Sequence, residues 1–450
     1  MEYVIGILLL LTFVLLVVYS IRGGNLMMGF LIMGVLWTAL PLIGNKLVTN
    51  PAFIAANQDI INTGFIDAVT SVFQGGPEGW GSVLVNVIFG AWFGRVLLET
   101  GIAATIIRKT VELGGDKPVV VCILLSIVET MIFATLIGDG AVIAIGVIVL
   151  PIMLGIGVPK LLALGSYMAS IGAGMYLNPT LTAQFFGFFL DSSGQPIFTY
   201  TQTDRLTWSF IGVGVQLGIV ILMIIVLLKK DKVSHAWAAA VGQTEQNKNV
   251  PVYAMITPLI PVVLLVFFNV PIILGFIIGS FYAMGTCGCL KSFKETCQNL
   301  NRDFFNGVVD TAPMDGFLLM LPIYNKASEL CVPYFSAVLG SFFPKSTLVI
   351  CIIFAVLAPL GLFRGPFTLF GCGAAILGML KALGFDPLFL YALMVIPAIT
   401  MNVSVCMTQS WIAWGLNYTK TAPGEHLKAN LPACWLICII MTGVTYFMFG

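Results

Sequence analysis

Long apolar runs dominate this chain, with neither the alternation of half-buried strands nor the 3.6-residue stripe of surface helices. A membrane-crossing helix needs about 20 mostly apolar residues, because lipid offers no partner to free backbone groups. Tyr3–Ile21, Leu26–Ile43, Gly81–Leu98 and Leu206–Leu228 meet that requirement, and a further span is predicted from near Phe304. Pro251–Val270 and Pro271–Leu290 read as a tight helical pair. Gly44–Trp80 is polar and partly amphipathic, and is expected outside the bilayer or on its surface. Met1-Glu2-Tyr3 leads into the first run without a basic stretch, so that run is predicted to be a retained span and not a cleaved leader.

Two runs do not fit a simple crossing. Leu161–Leu190 and Leu388–Leu416 carry no charge, yet each is too long for one untilted helix and too short for two with a loop. Each has polar or helix-disrupting residues near its middle: Gly172, Gly174 and Asn178-Pro179-Thr180-Leu181-Thr182 in the first, Pro397, Thr400, Asn402, Ser404 and Thr408-Gln409-Ser410 in the second. Broken helices of this kind are tolerated where the exposed backbone lines a cavity or is buried in protein. At one constant offset Pro159 falls on Pro387, Thr182 on Ser410, Phe186 on Trp414 and Gly187 on Gly415.

Upstream of each run lies an apolar leg, a small polar tip and a second leg: Val119–Val158 around Gly138-Asp139-Gly140, and Thr347–Leu380 around Arg364-Gly365-Pro366 with Thr368. Placing the Lys- and Arg-rich connections on the cytoplasmic side makes the first tip unit start from inside and the second from outside. The basic connections are Arg22, the 108–117 stretch, Lys229-Lys230-Asp231-Lys232, Lys291–Arg302 and Lys420/Lys428. The expected fold class is therefore an all-α polytopic membrane protein with inverted-topology repeats, each with a re-entrant helical hairpin and a discontinuous transmembrane helix. The expected organisation is an N-terminal pair with an extracytoplasmic segment over 1–80 and a first repeat over 81–228 (hairpin 119–158, broken helix 161–190). A basic cytoplasmic linker and helix pair (251–290) occupy 229–303, and a second repeat covers 304–450 (hairpin 347–380, broken helix 388–416).

Composition agrees. Hydrophobic residues make up 59% and charged residues 9%, against roughly 25% charged in an ordinary soluble chain, so the lipid bilayer is the partner. With 21 Lys+Arg against 20 Asp+Glu there is no basic face for nucleic acid. The ten cysteines are scattered through apolar runs, with Cys287 and Cys289 lacking a second close Cys or His pair, which disfavours disulfide and zinc readings. His235 and His426 read as solvated loop residues, and neither a metal nor an organic cofactor is expected.

Charges at membrane depth are the informative ones, because they are expensive and usually face a cavity. Arg364 offers a planar fork that suits a carboxylate. Asp139, between glycines, suits a coupling proton, and Glu129 in the first leg is a second candidate proton carrier. An Asp139–Arg364 ion pair that only joins the hairpins is the plain alternative. Asn178, Thr180, Thr182, Thr368, Asn402, Thr408, Gln409 and Ser410 are candidate substrate ligands, with Asn178, Thr182 and Ser410 also candidate Na⁺ ligands; hydroxyls in such helices also commonly bond only the preceding turn or a neighbouring helix. Asp310 and Asp315 suit helix packing or an interfacial role, and Arg95 with Glu99 reads as an i,i+4 pair.

Three stretches resemble the gluconate permease family of the ion transporter superfamily, loosely over residues 81–450: Phe89–Gly94 with Leu98-Glu99-Thr100-Gly101, Gly138-Asp139-Gly140 through Pro151 to Pro159, and Trp411–Tyr418 followed by Gly424-Glu425-His426-Leu427-Lys428. The chain departs in bearing Asn178-Pro179 and Ser404 to Gln409 where that family has histidine-bearing sequences. The resemblance implies paired hairpins and broken helices, a homodimer, and transport of an organic anion with a cation. These expectations add up to a secondary transporter of the cytoplasmic (inner) membrane, a symporter coupling H⁺ or Na⁺ to a small carboxylate such as a sugar acid, hydroxycarboxylate or dicarboxylate. A Na⁺/H⁺ antiporter on the same scaffold is the alternative. A membrane-embedded enzyme acting on lipid-linked substrates is the remote one, since the short loops supply no catalytic acids or histidines.

Overall fold

The computed structural model describes residues 1–115, 117–191, 194–230, 250–340 and 344–450. His235 and most of the basic loop after Lys230 lie outside the described residues. Helices Glu2–Ile21 and Leu26–Leu47 form an antiparallel pair. Asn25 starts the second by accepting from the Met27 and Met28 N–H groups, which the helix itself cannot satisfy.

Both pack on an unexpectedly long helix, Phe293–Leu339, of 47 residues. It starts eleven residues before the span predicted near Phe304, with Ser292 as its cap at 3.2 Å from the Glu295 N–H. Pro313, Pro322 and Pro333 lie inside it without ending it. At 1.5 Å per residue it is about 70 Å long.

The segment expected outside or on the surface is also helical. From Phe65, through a π-turn at Ser71–Gly75, it runs almost without interruption into Gly81–Glu99, and Phe65–Glu99 as a whole is long and apolar enough to cross a membrane. Gly76 lies against the backbone of Pro322 and Ile323, so the long helix supplies the surface that orders this stretch. The basic connection after Gly101 contains an amphipathic helix, Ile102–Gly114. The pair predicted at 251–290 is present but short: a 3₁₀ segment, Val252–Leu259, leads into Ile260–Phe268, which packs on Ile272–Thr286. Fifteen residues reach only about 22 Å, less than a bilayer core.

Two units carry the broken helices. In the first, legs Pro118–Phe133 and Asp139–Gly155 form a hairpin, followed by half-helices Lys160–Met175 and Pro179–Phe186. In the second, Thr347–Val356 bends by 61° into Ala358–Arg364, turns lead to Ala374–Ala382, and the half-helices are Pro387–Pro397, continued by a π-turn at Ala398–Val403, and Ser410–Tyr418. Thr203–Lys230 follows the first unit and Pro423–Phe449 the second. Five described helices are long and apolar enough to cross a membrane, or six counting the bent pair as one span. The molecule is an all-α, multi-pass membrane protein.

The two units interlock reciprocally. Lys160, at the base of the first hairpin, donates to the Lys420 carbonyl beyond the second unit's distal half-helix, at 2.9 Å. Lys381, at the base of the second hairpin, donates to the Phe188 carbonyl beyond the first unit's distal half-helix, at 2.6 Å. Each lysine thus meets the negative end of the other unit's half-helix. Trp414 lies over Gly146 of the first hairpin, and Phe185 stacks on Phe370 of the second with ring centroids 4.9 Å apart. Such mutual docking is what an approximate twofold relation between the units requires.

Candidate functional site

The first break is held by its own hairpin. Asn178 ends the proximal half-helix, and its side-chain oxygen accepts from the Leu181 N–H at 3.0 Å, opening the distal half-helix with Pro179 at its first position. Its side-chain NH₂ donates to the carbonyls of Phe133 (3.0 Å) and Leu136 (2.8 Å) at the end of the first hairpin leg. The Asn178 amide therefore positions the break through three hydrogen bonds. Gly174 fits flush on the Thr130 carbonyl and the Phe133–Ala134 backbone, where a Cβ has no room. Thr180 is fully buried against Gly90 and its hydroxyl has no partner. Thr182 is buried in the first turn, with its N–H donating to the Asn178 carbonyl at 2.9 Å.

The second hairpin tip is built differently. Phe363 and Arg364 both have φ of 55°, the left-handed region that side chains with a Cβ rarely occupy. Such conformations cost on the order of 1–3 kcal/mol each and persist only where the surroundings hold them. Here the Phe363 N–H donates to Cys406 Sγ at 3.0 Å, Ser20 Oγ donates to the Phe363 carbonyl at 2.5 Å, and the Arg364 carbonyl accepts from the Cys372 N–H at 3.0 Å. Gly371 lies so close to the Arg364 carbonyl that any side chain would collide with it.

The result is a presented guanidinium. Arg364 lies over the Phe317 ring, 4.4 Å from its centroid, and its only hydrogen bonds are long ones, 3.4 Å each, to the Phe370 carbonyl and Gln409 Oε1. Gln409 in turn donates to Asn402 Oδ1, while the buried Asn402 amide nitrogen has no partner. Arg364 and Thr408 line an open cavity of about 380 Å³. Its other walls come from Phe317 and Pro313 of the long helix and from the turn between the first two helices, Ser20 to Met27. Among the described residues no acidic side chain forms an ion pair with Arg364. Asp139, at the first hairpin tip, is near enough to act on it electrostatically, but the ion pair considered from the sequence is not formed.

Residues 310–317 of the long helix run between the two tips. Gly140 lies beside Asp310 and Gly138 beside Thr311 on one side; Phe317 meets Arg364 on the other. Asp310 takes Arg95 through two bonds, 2.6 and 2.8 Å, whereas the Arg95–Glu99 pair read from the sequence is only a 3.7 Å contact. Glu99 also lies 3.7 Å from Arg302, which pairs with Asp303 at 2.8 Å. Asp315 accepts from Thr311 at 3.1 Å, and its other oxygen has no partner.

The fold matches that of a solved structure. The chain superposes on the YdaH transporter of Alcanivorax borkumensis, described as having an unusual topology, with a TM-score of 0.62 over 93% of this chain and 96% of that one, at 14% identity. The two chains share a fold. No family model and no curated protein sequence matches the chain, so nothing in these comparisons singles out the gluconate permease family within that fold.

Of the predicted residues, the structure brings Arg364, Gln409, Asn402 and Thr408 together at the second break. Ser410 is exposed one residue further on, and Thr368 is buried inside the hairpin turn with an unpartnered hydroxyl. Asn178, Thr180 and Thr182 cluster at the first break, and no hydrogen bond links them to Ser410. Phe370 connects the two groups, stacking on Phe185 while its carbonyl receives Arg364. Where the half-helices cross, Gln216 donates to the Ala169 carbonyl and Ser404 Oγ (2.8 and 3.1 Å) and accepts from Thr400, which also meets Tyr176. Sequence reasoning missed this network and the Ser20, Phe317 and Cys406 contacts; a lone Gln216 in an uncharged span was the available signal. His426, expected in a solvated loop, is fully buried at the start of Pro423–Phe449 against Asn430.

Proposed function

We propose that the chain is a cation-coupled secondary transporter of the cytoplasmic membrane, a symporter of a small organic anion such as a sugar acid, hydroxycarboxylate or dicarboxylate. The observation that carries this reading is the unpaired Arg364 guanidinium on the wall of a 380 Å³ cavity, held there by a strained turn. A guanidinium with three uncommitted N–H groups suits a carboxylate bound through two parallel hydrogen bonds. The cavity falls in the range of small-molecule sites, roughly 300–1,000 Å³. Thr408, exposed on the same wall, offers a hydroxyl to the rest of the solute, and Gln409 and Asn402 hold the arginine's orientation. Asp139, at the other hairpin tip, carries or senses the coupling cation. Transport moves the hairpin-bearing units against the long helix and the first helix pair, alternately opening the site to either side.

The test is a thermal-shift screen of purified protein against gluconate, malate and succinate at two pH values, with and without Na⁺, repeated with Arg364→Ala and Arg364→Lys. Losing one partner of a desolvated charge pair costs about 2–5 kcal/mol, so Arg364→Ala should weaken binding by roughly 30-fold or more and Arg364→Lys by less. Unchanged binding and uptake in Arg364→Ala removes the central assignment. Sodium-driven proton flux in vesicles free of organic solute would instead favour the antiporter reading.

A further inference from the structure

We infer that Glu129 is a proton-carrying site inside the first hairpin unit, loaded when that unit opens and occluded in the conformation seen here. The inference rests on the transporter reading and names the coupling ion as H⁺.

Glu129 lies in the leg Pro118–Phe133 and is only 1% exposed. No cation pairs with it, and its Oε1 has no hydrogen-bond partner. Ser170 on the facing helix and Thr130 and Ser126 on its own helix are the nearest hydroxyls in the chain's packing, and two have already committed their protons. Ser170 Oγ faces the carboxyl but donates to the Ser166 carbonyl at 2.7 Å, and Thr130 Oγ1 donates to the Ser126 and Ser170 carbonyls at 2.8 and 3.2 Å. Ser126, one turn before Glu129 on the same face, is buried with an unpartnered hydroxyl. A carboxylate here would be a buried charge with no cation beside it among the described residues, a state that proteins avoid. A carboxylic acid brings its own donor, and the Ser170 hydroxyl oxygen is the acceptor that faces it.

The surrounding elements leave the proton as the partner. Tyr167 faces Glu129 from Lys160–Met175, and Cys122 from its own helix. Thr203–Lys230 has no titratable group between Arg205 and Lys229; Ile102–Gly114 carries Arg108, Lys109 and Glu112, Val252–Leu259 carries Tyr253, and Asp139–Gly155 carries Asp139. None of these forms an ion pair with Glu129. The site also sits on the seam that must move. Thr130–Ser170, the Gly174 contact and Asn178 stitch this leg to the broken helix, so water reaches Glu129 only if the seam parts.

The experiment compares the infrared spectra of the purified protein and of Glu129→Gln, which keeps the shape of a protonated carboxyl, in H₂O and D₂O. The wild type should show a buried protonated-carboxyl C=O band, slow to exchange, that Glu129→Gln lacks. In proteoliposomes with a trapped pH dye, proton uptake driven by gluconate, malate or succinate should fall at least tenfold in Glu129→Gln, while any thermal stabilisation by those anions persists. If Glu129→Gln does not fold, Ser170→Ala should shift the same band. Identical spectra, a carboxylate band sharpened by Na⁺, or full proton uptake in Glu129→Gln would overturn the inference. Absence of any anion response in the wild type, with the band present, would sink the transporter reading and leave the protonated site standing.

Discussion

Asn178 separates two roles that the sequence leaves open, substrate ligand and fixed hinge. In Asn178→Ala three buried hydrogen bonds of 2.8–3.0 Å disappear. The helix start loses its cap, which costs about 1 kcal/mol. The Phe133 and Leu136 carbonyls sit at a helix end where the leg itself has no donor for them, so each is left exposed to apolar surroundings. A buried orphan costs about 1–3 kcal/mol in water-soluble proteins, while interhelical hydrogen bonds in membranes average about 0.6 kcal/mol. The sum is a destabilisation of about 2–4 kcal/mol. It should appear as a lower thermal unfolding midpoint in detergent and as faster proteolysis of the 134–138 linker. Thr180→Ala, two residues away, removes a hydroxyl with no partner and should change the midpoint by less than about 0.5 kcal/mol. An Asn178→Ala protein that unfolds like the wild type but binds anions poorly would refute the hinge assignment.

Two further substitutions probe the other tip and the scaffold. Gly371→Ala places a Cβ against the Arg364 carbonyl, so the turn must shift; anion binding should fall by an order of magnitude or more with a smaller loss of stability, read by the same thermal-shift titration. Asp310→Asn removes the negative charge that faces Arg95 and one of the two bonds it accepts, and should destabilise by about 1–3 kcal/mol, discounted because both side chains are partly exposed, with Arg95→Gln restoring part of the loss in the double variant.

How legible the fold was depends on whether the cause was local. The two uncharged runs break at 176–178 and 406–409 because Asn-Pro and Thr-Gln-Ser are short polar signals within reach of their own consequences. The hairpin tips were readable for the same reason, as Gly-Asp-Gly and Arg-Gly-Pro cannot continue a helix in lipid. The 47-residue helix was not: its first eleven residues are mostly polar and charged, and packing against the first helix pair and Gly81–Glu99 carries the helix through Pro313, Pro322 and Pro333. Arg95 illustrates the limit at the level of one side chain. Spacing rules see Glu99 four residues on, and the stronger partner lies 215 positions away. At the candidate site, Arg364 was visible as a charge in an apolar region, but its left-handed backbone and its Phe317 platform come from segments that no local pattern joins. Asn178 was visible as a polar residue, but its partners Phe133 and Leu136 were not, because a side chain's partners are set by what folds against it.

The Ser20–Phe363 hydrogen bond spans 343 positions of chain. The cavity behind it draws its walls from residues 20–27 at one extreme and from 313, 317, 363, 364 and 408 at the other. During synthesis the early helix pair must therefore wait in the bilayer, its Gly-Gly-Asn turn uncovered, until Thr408 has been inserted. A ribosome stalled before that residue leaves behind a product that is anchored in lipid and has no finished vestibule.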